Sequence, residues 1–159
     1  MKFLKTIRFD PSDTHVFEQA AGGDEWAIPG GFAFAGLAEE ALTGKRKQAF
    51  SNGFLSLESF GRSTFVSVAE VSADQVEGLI CRLAEHFAGQ YGAPSVEAAL
   101  PAARDEVNFV LELCREAPIN SVFTLRRFFD ETGEIREEFR IVNAPGETPH
   151  ARIWDVVEE

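Results

Sequence analysis

Apolar residues recur along this chain at two periods, every second residue and every third or fourth, and the switches between them mark out its elements. Residues 54–59 and 63–71 are rich in aliphatic and β-branched side chains. The Phe60-Gly61-Arg62 link between them is short enough for a hairpin in which Gly61 takes φ > 0. Ser72-Ala73-Asp74-Gln75 then has the form of a capping box, the serine hydroxyl accepting from the backbone of residue 75 while the glutamine reaches back. From there Val76, Leu79, Ile80, Leu83, Phe87 and Tyr91 follow one helical face until Gly92 stops it. A hairpin feeding a helix is the centre about which the rest of the chain is arranged.

Upstream, residues 2–9 alternate Lys2, Lys5 and Arg8 with Phe3, Leu4, Ile7 and Phe9 and read as a first strand, ended by Asp10-Pro11-Ser12-Asp13. His15-Val16-Phe17-Glu18 reads as a short second strand closed by residues 20–24, and residues 37–42 as a short helix closed by Thr43-Gly44. Downstream, Ala93-Pro94-Ser95 breaks the chain, residues 96–100 make a helical turn, and a helix spans 101–116 with Pro101 at its first position. Its face carries Leu100, Ala103, Val107, Val110, Leu111 and Cys114, widened by Phe109 and Leu113, so burial is expected on two sides, against the sheet and against a neighbour or partner chain.

Residues 121–129 and 134–142 flank Asp130-Glu131-Thr132-Gly133 as a second hairpin. Phe123, Leu125 and Phe129 share one parity, as do Ile135, Phe139 and Ile141, and Arg127 and Glu137 interrupt that core face where they can pair. Thr124, Arg126, Arg136, Glu138 and Arg140 hold the other face, as ordinary cross-strand charge pairs or, alternatively, as an anion site of the three arginines. Residues 151–157 read as a last strand that anchors Trp154. Two hairpins bracketing two consecutive helices, with strands at both termini, predict an α+β fold: a mainly antiparallel sheet with the two helices packed on one face.

The composition bounds what such a fold does. With 159 residues and no composition shift or repeat, the chain is expected to be a single domain over 1–159. Acidic residues outnumber basic ones 26 to 15, a formal charge of -11, which disfavours nucleic acid and anionic lipid surfaces as partners. No apolar run approaches a membrane span, and the charged opening has no signal-peptide core, so a cytoplasmic location is expected. Cys81 and Cys114 read as two small buried hydrophobes, with no spacing that points to zinc or any other metal. Fifteen Phe against one Tyr supply apolar area without polar handles, which suits a thick core, a greasy cavity or a subunit interface.

Candidate chemistry gathers in one region. Trp26 leads into Gly30-Gly31-Phe32-Ala33-Phe34-Ala35-Gly36, an uncharged segment whose glycines permit close approach of a ligand or of another stretch of chain. Lys45-Arg46-Lys47, the only run of three positive charges, reads as a solvated loop or as the spot that steers an anion. Trp26, Gly30, Gly31, Phe32, Phe34, Lys45, Arg46, Lys47 and Arg62 are therefore the candidate ligand-binding residues. No nucleotide fingerprint and no nucleophile, paired-histidine or carboxylate motif accompanies them, so no catalytic residue is assigned and no cofactor is called for.

Residues 44–50 and 53–66, GKRKQAF and GFLSLESFGRSTFV, resemble a family of small bacterial proteins of unknown function, a similarity that extends over about residues 1–157. The resemblance implies a bacterial cytosolic origin and one domain, and carries over no catalytic residue. Small acidic α+β chaperones of secretion systems are similar in size and charge, but open with a helix where this chain opens with a strand. The expected function is a non-catalytic interaction or accessory module, a homodimer that uses its helix or sheet surface to hold another protein. The alternative is a binding domain for an apolar or anionic small molecule, and the weaker alternative a small enzyme acting on an acidic substrate.

Overall fold

The computed structural model describes residues 1–8, 16–142 and, for the backbone, 154–158. Its strands are β1 (Lys2–Ile7), β2 (Trp26–Ile28), β3 (Phe54–Ser56), β4 (Arg62–Ser63), β5 (Phe65–Glu70), β6 (Val122–Phe129), β7 (Ile135–Val142) and β8 (Trp154–Glu158). They form one sheet in the order β4-β3-β2-β1-β5-β6-β7-β8, every neighbouring pair antiparallel. The helices are α1 (Gly44–Asn52), α2 (Ala73–Gln90) and α3 (Val96–Cys114), with α2 and α3 packed together on the sheet. The fold is α+β, as the hairpins and consecutive helices predict.

The best periodic stretch folds as expected. Gln75 N–H donates to Ser72 Oγ at 3.1 Å and Ser72 N–H to Gln75 Oε1 at 2.9 Å, so the capping box closes the start of α2. Val76, Leu79, Ile80 and Leu83 enter the main core with Leu4, Ile28, Phe54, Val66, Val68, Phe123 and Phe139. Phe87 is only half-buried and Tyr91 is exposed. Helix α3 begins five residues before Pro101, at Val96, where Ala98 N–H donates to Ser95 Oγ at 3.0 Å, so the proline lies inside the helix and cannot donate to the carbonyl of residue 97. Its apolar excess is partly buried within the chain: Phe109 packs on Phe139 with ring centroids 5.6 Å apart, and Leu111 and Leu113 lie half-buried against the same core.

The first hairpin departs from expectation. Positive φ falls at Phe60 (58°), while Gly61 serves a close crossing, since a Cβ there would stand 2.6 Å from the Ala20 backbone. The crossing segment bonds to β4 through Arg62 N–H to Gln19 O and Ala21 N–H to Arg62 O, both 2.8 Å, so Phe17 and Glu18 precede a single parallel bridge and not a strand. After β4 the chain changes partner, and β5 pairs with β1 and β6. The second hairpin keeps its register from Phe129↔Ile135 to Val122↔Val142. Asp130 accepts from Thr132 Oγ1 at 2.7 Å and Arg136 Nε at 2.8 Å, bonds that hold its carboxyl well below the ordinary range.

Two further expectations change. Residues 37–42 hold only a short 3-10 turn, Glu39–Ala41, preceded by another at Gly31–Phe34, and Lys45, Arg46 and Lys47 belong to α1 and not to a loop. Phe50 is the only buried side chain of α1, so that helix rests on the propensity of Lys, Arg, Gln and Ala and leaves no apolar period to read. Cys114 is buried, its thiol pushed up to about 12 by desolvation, whereas Cys81 is exposed. The tail strand is present as β8; Asp10, Pro11, Ser12, Asp13, His15 and His150 lie outside the described residues. No helix among the described residues is long and apolar enough to cross a membrane.

Candidate functional site

In a flat sheet β2 and β6 would stand three strand spacings apart, roughly 14 Å. Here Arg127 of β6 reaches the carbonyl of Pro29, just after β2, at 2.9 Å, and Phe54 of β3 lies 6.4 Å from Phe139 of β7 between ring centroids. The sheet is therefore strongly curled, and the space its limbs enclose is held by two buried arginines.

Arg127 is 2% exposed and donates through Nη1 to Phe50 O at 2.7 Å, through Nη2 to Pro29 O, and through Nε to Glu137 Oε2 at 2.8 Å. The pairing foreseen from parity is thus made, directly across the hairpin. Arg62, 8% exposed, donates through Nη1 to Gly53 O at 3.1 Å and Pro29 O at 3.4 Å, and through Nη2 to Gly30 O at 3.2 Å. The two guanidiniums share Pro29 O, and both lie over the ring of Phe34, at 4.9 Å for Arg62 and 5.4 Å for Arg127. Together they satisfy carbonyls at the C-terminal end of α1, where orphan acceptors and the helix dipole favour cations. Burial and the neighbouring Arg127 pull Arg62 down to about 9. For Arg127 burial also lowers the pKa, against the pull of Glu137.

The glycines of the candidate segment are explained by this pair. Gly30 takes φ 72°, and a Cβ on it would stand 2.5 Å from Leu55 Cβ; one on Gly31 would stand 2.7 Å from Glu137 Oε2. At Gly30 the chain passes Leu55 at a distance that only glycine permits, in keeping with the close approach of another stretch of chain.

A cleft of about 240 Å³ opens beside Arg62, lined by Phe17, Phe34, Phe60, Lys45, Arg46 and Glu18 among others. Four of the nine candidate residues, Phe34, Lys45, Arg46 and Arg62, thus meet in one place. Gly30 supports it from behind through its bond to Arg62. Trp26 does not belong there: its ring meets Phe3 edge-on at 6.0 Å with Lys5 above it. Phe32 packs on Phe87 and Tyr91 of and beyond α2, and Lys47 is exposed outside the lining. Sequence reasoning missed Phe17 and Phe60, whose aromatic character was the only signal.

On the other side of Arg127, Gly31, Phe32, Asp105, Glu106, Phe109 and Glu137 line an acidic cleft of about 560 Å³. Burial there raises the Glu106 carboxyl above its ordinary value, helped by Glu137 and Asp105 and opposed by Arg127. Glu106 is suited to hold a proton, while Glu137 is committed to Arg127. Among the described residues no group of three or more His, Cys, Asp or Glu side chains is placed to hold a metal ion.

Residues 1–153 match the model of a family of unknown function (DUF6505), and the chain belongs to that family. No curated protein and no solved structure matches it.

Proposed function

We propose that this member of a family of unknown function is a non-catalytic binding module that holds an anionic small molecule in the Arg62 cleft. The observation that carries this reading is a buried arginine that lines an accessible cleft and, among the described residues, hydrogen-bonds to backbone carbonyls, with two exposed cations, Lys45 and Arg46, at the same opening. No described carboxylate hydrogen-bonds to Arg62, Glu137 acting on it only through space, and an anion bonded to a buried guanidinium offsets the cost of burying it. In a protein of charge -11 a local cluster of three cations is also where an anion is steered. The apolar residues that favour a dimer or a protein-holding face pack partly against the main core, Phe109 and Leu113 among them, and the cleft reading does not draw on them. A cytoplasmic setting belongs to the proposal and is supported by the two free cysteines.

The test is thermal denaturation with acetate, phenylacetate and inorganic phosphate in turn. A ligand at a hundred times its Kd adds about 2.7 kcal/mol, so at least one should raise the melting temperature. The double variant Lys45→Ala, Arg46→Ala should lose most of that rise, while Lys47→Ala, outside the lining, should keep it. If no anion raises the wild-type melting temperature, the reading is abandoned.

A further inference from the structure

Arg62 has donors to spare, and their position narrows the ligand. Nη1 is spent on Gly53 O and Pro29 O, and one hydrogen of Nη2 on Gly30 O, which leaves Nε and the second Nη2 hydrogen without a described partner. Every buried side-chain nitrogen among the described residues has a hydrogen-bond partner, so Nε is not among the buried atoms. Nε and the remaining Nη2 hydrogen are thus the donors left to a ligand in the cleft that Arg62 lines. Those two N–H groups run parallel, a spacing matched by the two oxygens of a carboxylate.

Resting on the reading of an anion site, we propose that the ligand is a monoanionic carboxylate on a small flat apolar body, bound side-on to Arg62 Nε and Nη2. Phe17, Phe34 and Phe60 supply apolar walls for the body, and the cleft of about 240 Å³ is smaller than the ~300–1,000 Å³ of sites for drug-sized ligands. Glu18 stands in the same lining and opposes a second negative charge, which disfavours a phosphate dianion. Lys45 and Arg46 supply long-range attraction, and Arg62 supplies the directional contact.

The experiment follows the Arg62 Nε–H resonance of the wild-type chain by NMR during titration with phenylacetate, benzyl alcohol and inorganic phosphate. Phenylacetate should move that resonance downfield, as a new hydrogen bond to a carboxylate does, and benzyl alcohol should leave it in place. Arg62→Lys keeps the charge and loses the fork, and should weaken phenylacetate at least tenfold; the wild-type titration decides alone if that variant does not fold. Binding of phenylacetate with the Arg62 resonance unmoved would overturn side-on pairing. A response to phosphate and none to phenylacetate would overturn the carboxylate class and leave the anion site standing. A response to neither would remove both.

Discussion

Arg62 and Arg127 share a residue type, a carbonyl acceptor and an aromatic floor, yet one is complete and the other is not. Arg127 has spent its fork on Phe50 O, Pro29 O and the Glu137 carboxylate, so its charge is balanced within the chain. Among the described residues Arg62 hydrogen-bonds to carbonyls alone, and it lines a cleft with Lys45, Arg46 and Glu18. Burial alone therefore does not tell a structural charge from a functional one. What distinguishes them is whether a carboxylate of the chain is hydrogen-bonded to the guanidinium.

The comparison is broken most forcefully at Arg127. Arg127→Met strands Glu137 and removes donors from Phe50 O and Pro29 O, and breaking such a buried pair costs about 3–5 kcal/mol. Urea denaturation reads this directly. Arg62→Met strands no hydrogen-bonded carboxylate and relieves both the desolvation of its charge and its repulsion from Arg127, so the lost donors dominate, about 1–3 kcal/mol. Equal losses in the two variants would mean that Arg62 is completed by the fold after all.

These differences were unequally legible in the sequence. Arg127 and Glu137 could be paired from their positions alone, because both interrupt a core parity and the Asp130 turn sets the register between them. Arg62 could be named as a candidate but not recognised as buried, since β4 has only two residues and therefore no period. Its acceptors, Pro29, Gly30 and Gly53, are brought to it by the pairing of β2 with β3 and of β3 with β4, contacts between separate stretches of chain that no local pattern encodes. Trp26 and Phe32 were grouped with the site by proximity in the chain, but the alternation of β2 turns Trp26 toward Phe3, and Phe32 packs against Phe87. Helix α1 escaped for the reason that it buries only Phe50.

A smaller effect tests the acidic side of Arg127. Because the Glu106 carboxyl is raised, the folded chain binds that proton more tightly than the unfolded chain does. Stability from this group is thus full below the ordinary glutamate value of about 4.5 and declines as pH rises through the raised folded value. Glu106→Gln should flatten that decline and raise the denaturation midpoint at neutral pH by less than either arginine variant lowers it. Midpoints measured from pH 4 to 8 check the sign. A lower midpoint at pH 7 in the variant would show that the charged carboxylate is stabilising, through Arg127, despite its burial.

The smallest effect on stability belongs to the residues that matter most to the ligand. Lys45 and Arg46 are exposed in the first turn of α1, and none of the hydrogen bonds or ion pairs among the described residues that hold the arginine cluster runs through them. Cations at a helix N-terminus oppose the helix dipole, whereas alanine is a better helix former than either, so both changes tend to offset any lost solvation. Lys45→Ala and Arg46→Ala should each shift the unliganded denaturation free energy by no more than ~0.5 kcal/mol. Added salt should mimic them in the wild type, weakening phenylacetate through screening while leaving the unliganded midpoint nearly unchanged. If instead either substitution unfolds the chain, these cations are part of the same closed structural set as Arg127, and the contrast between a completed arginine and an open one no longer holds.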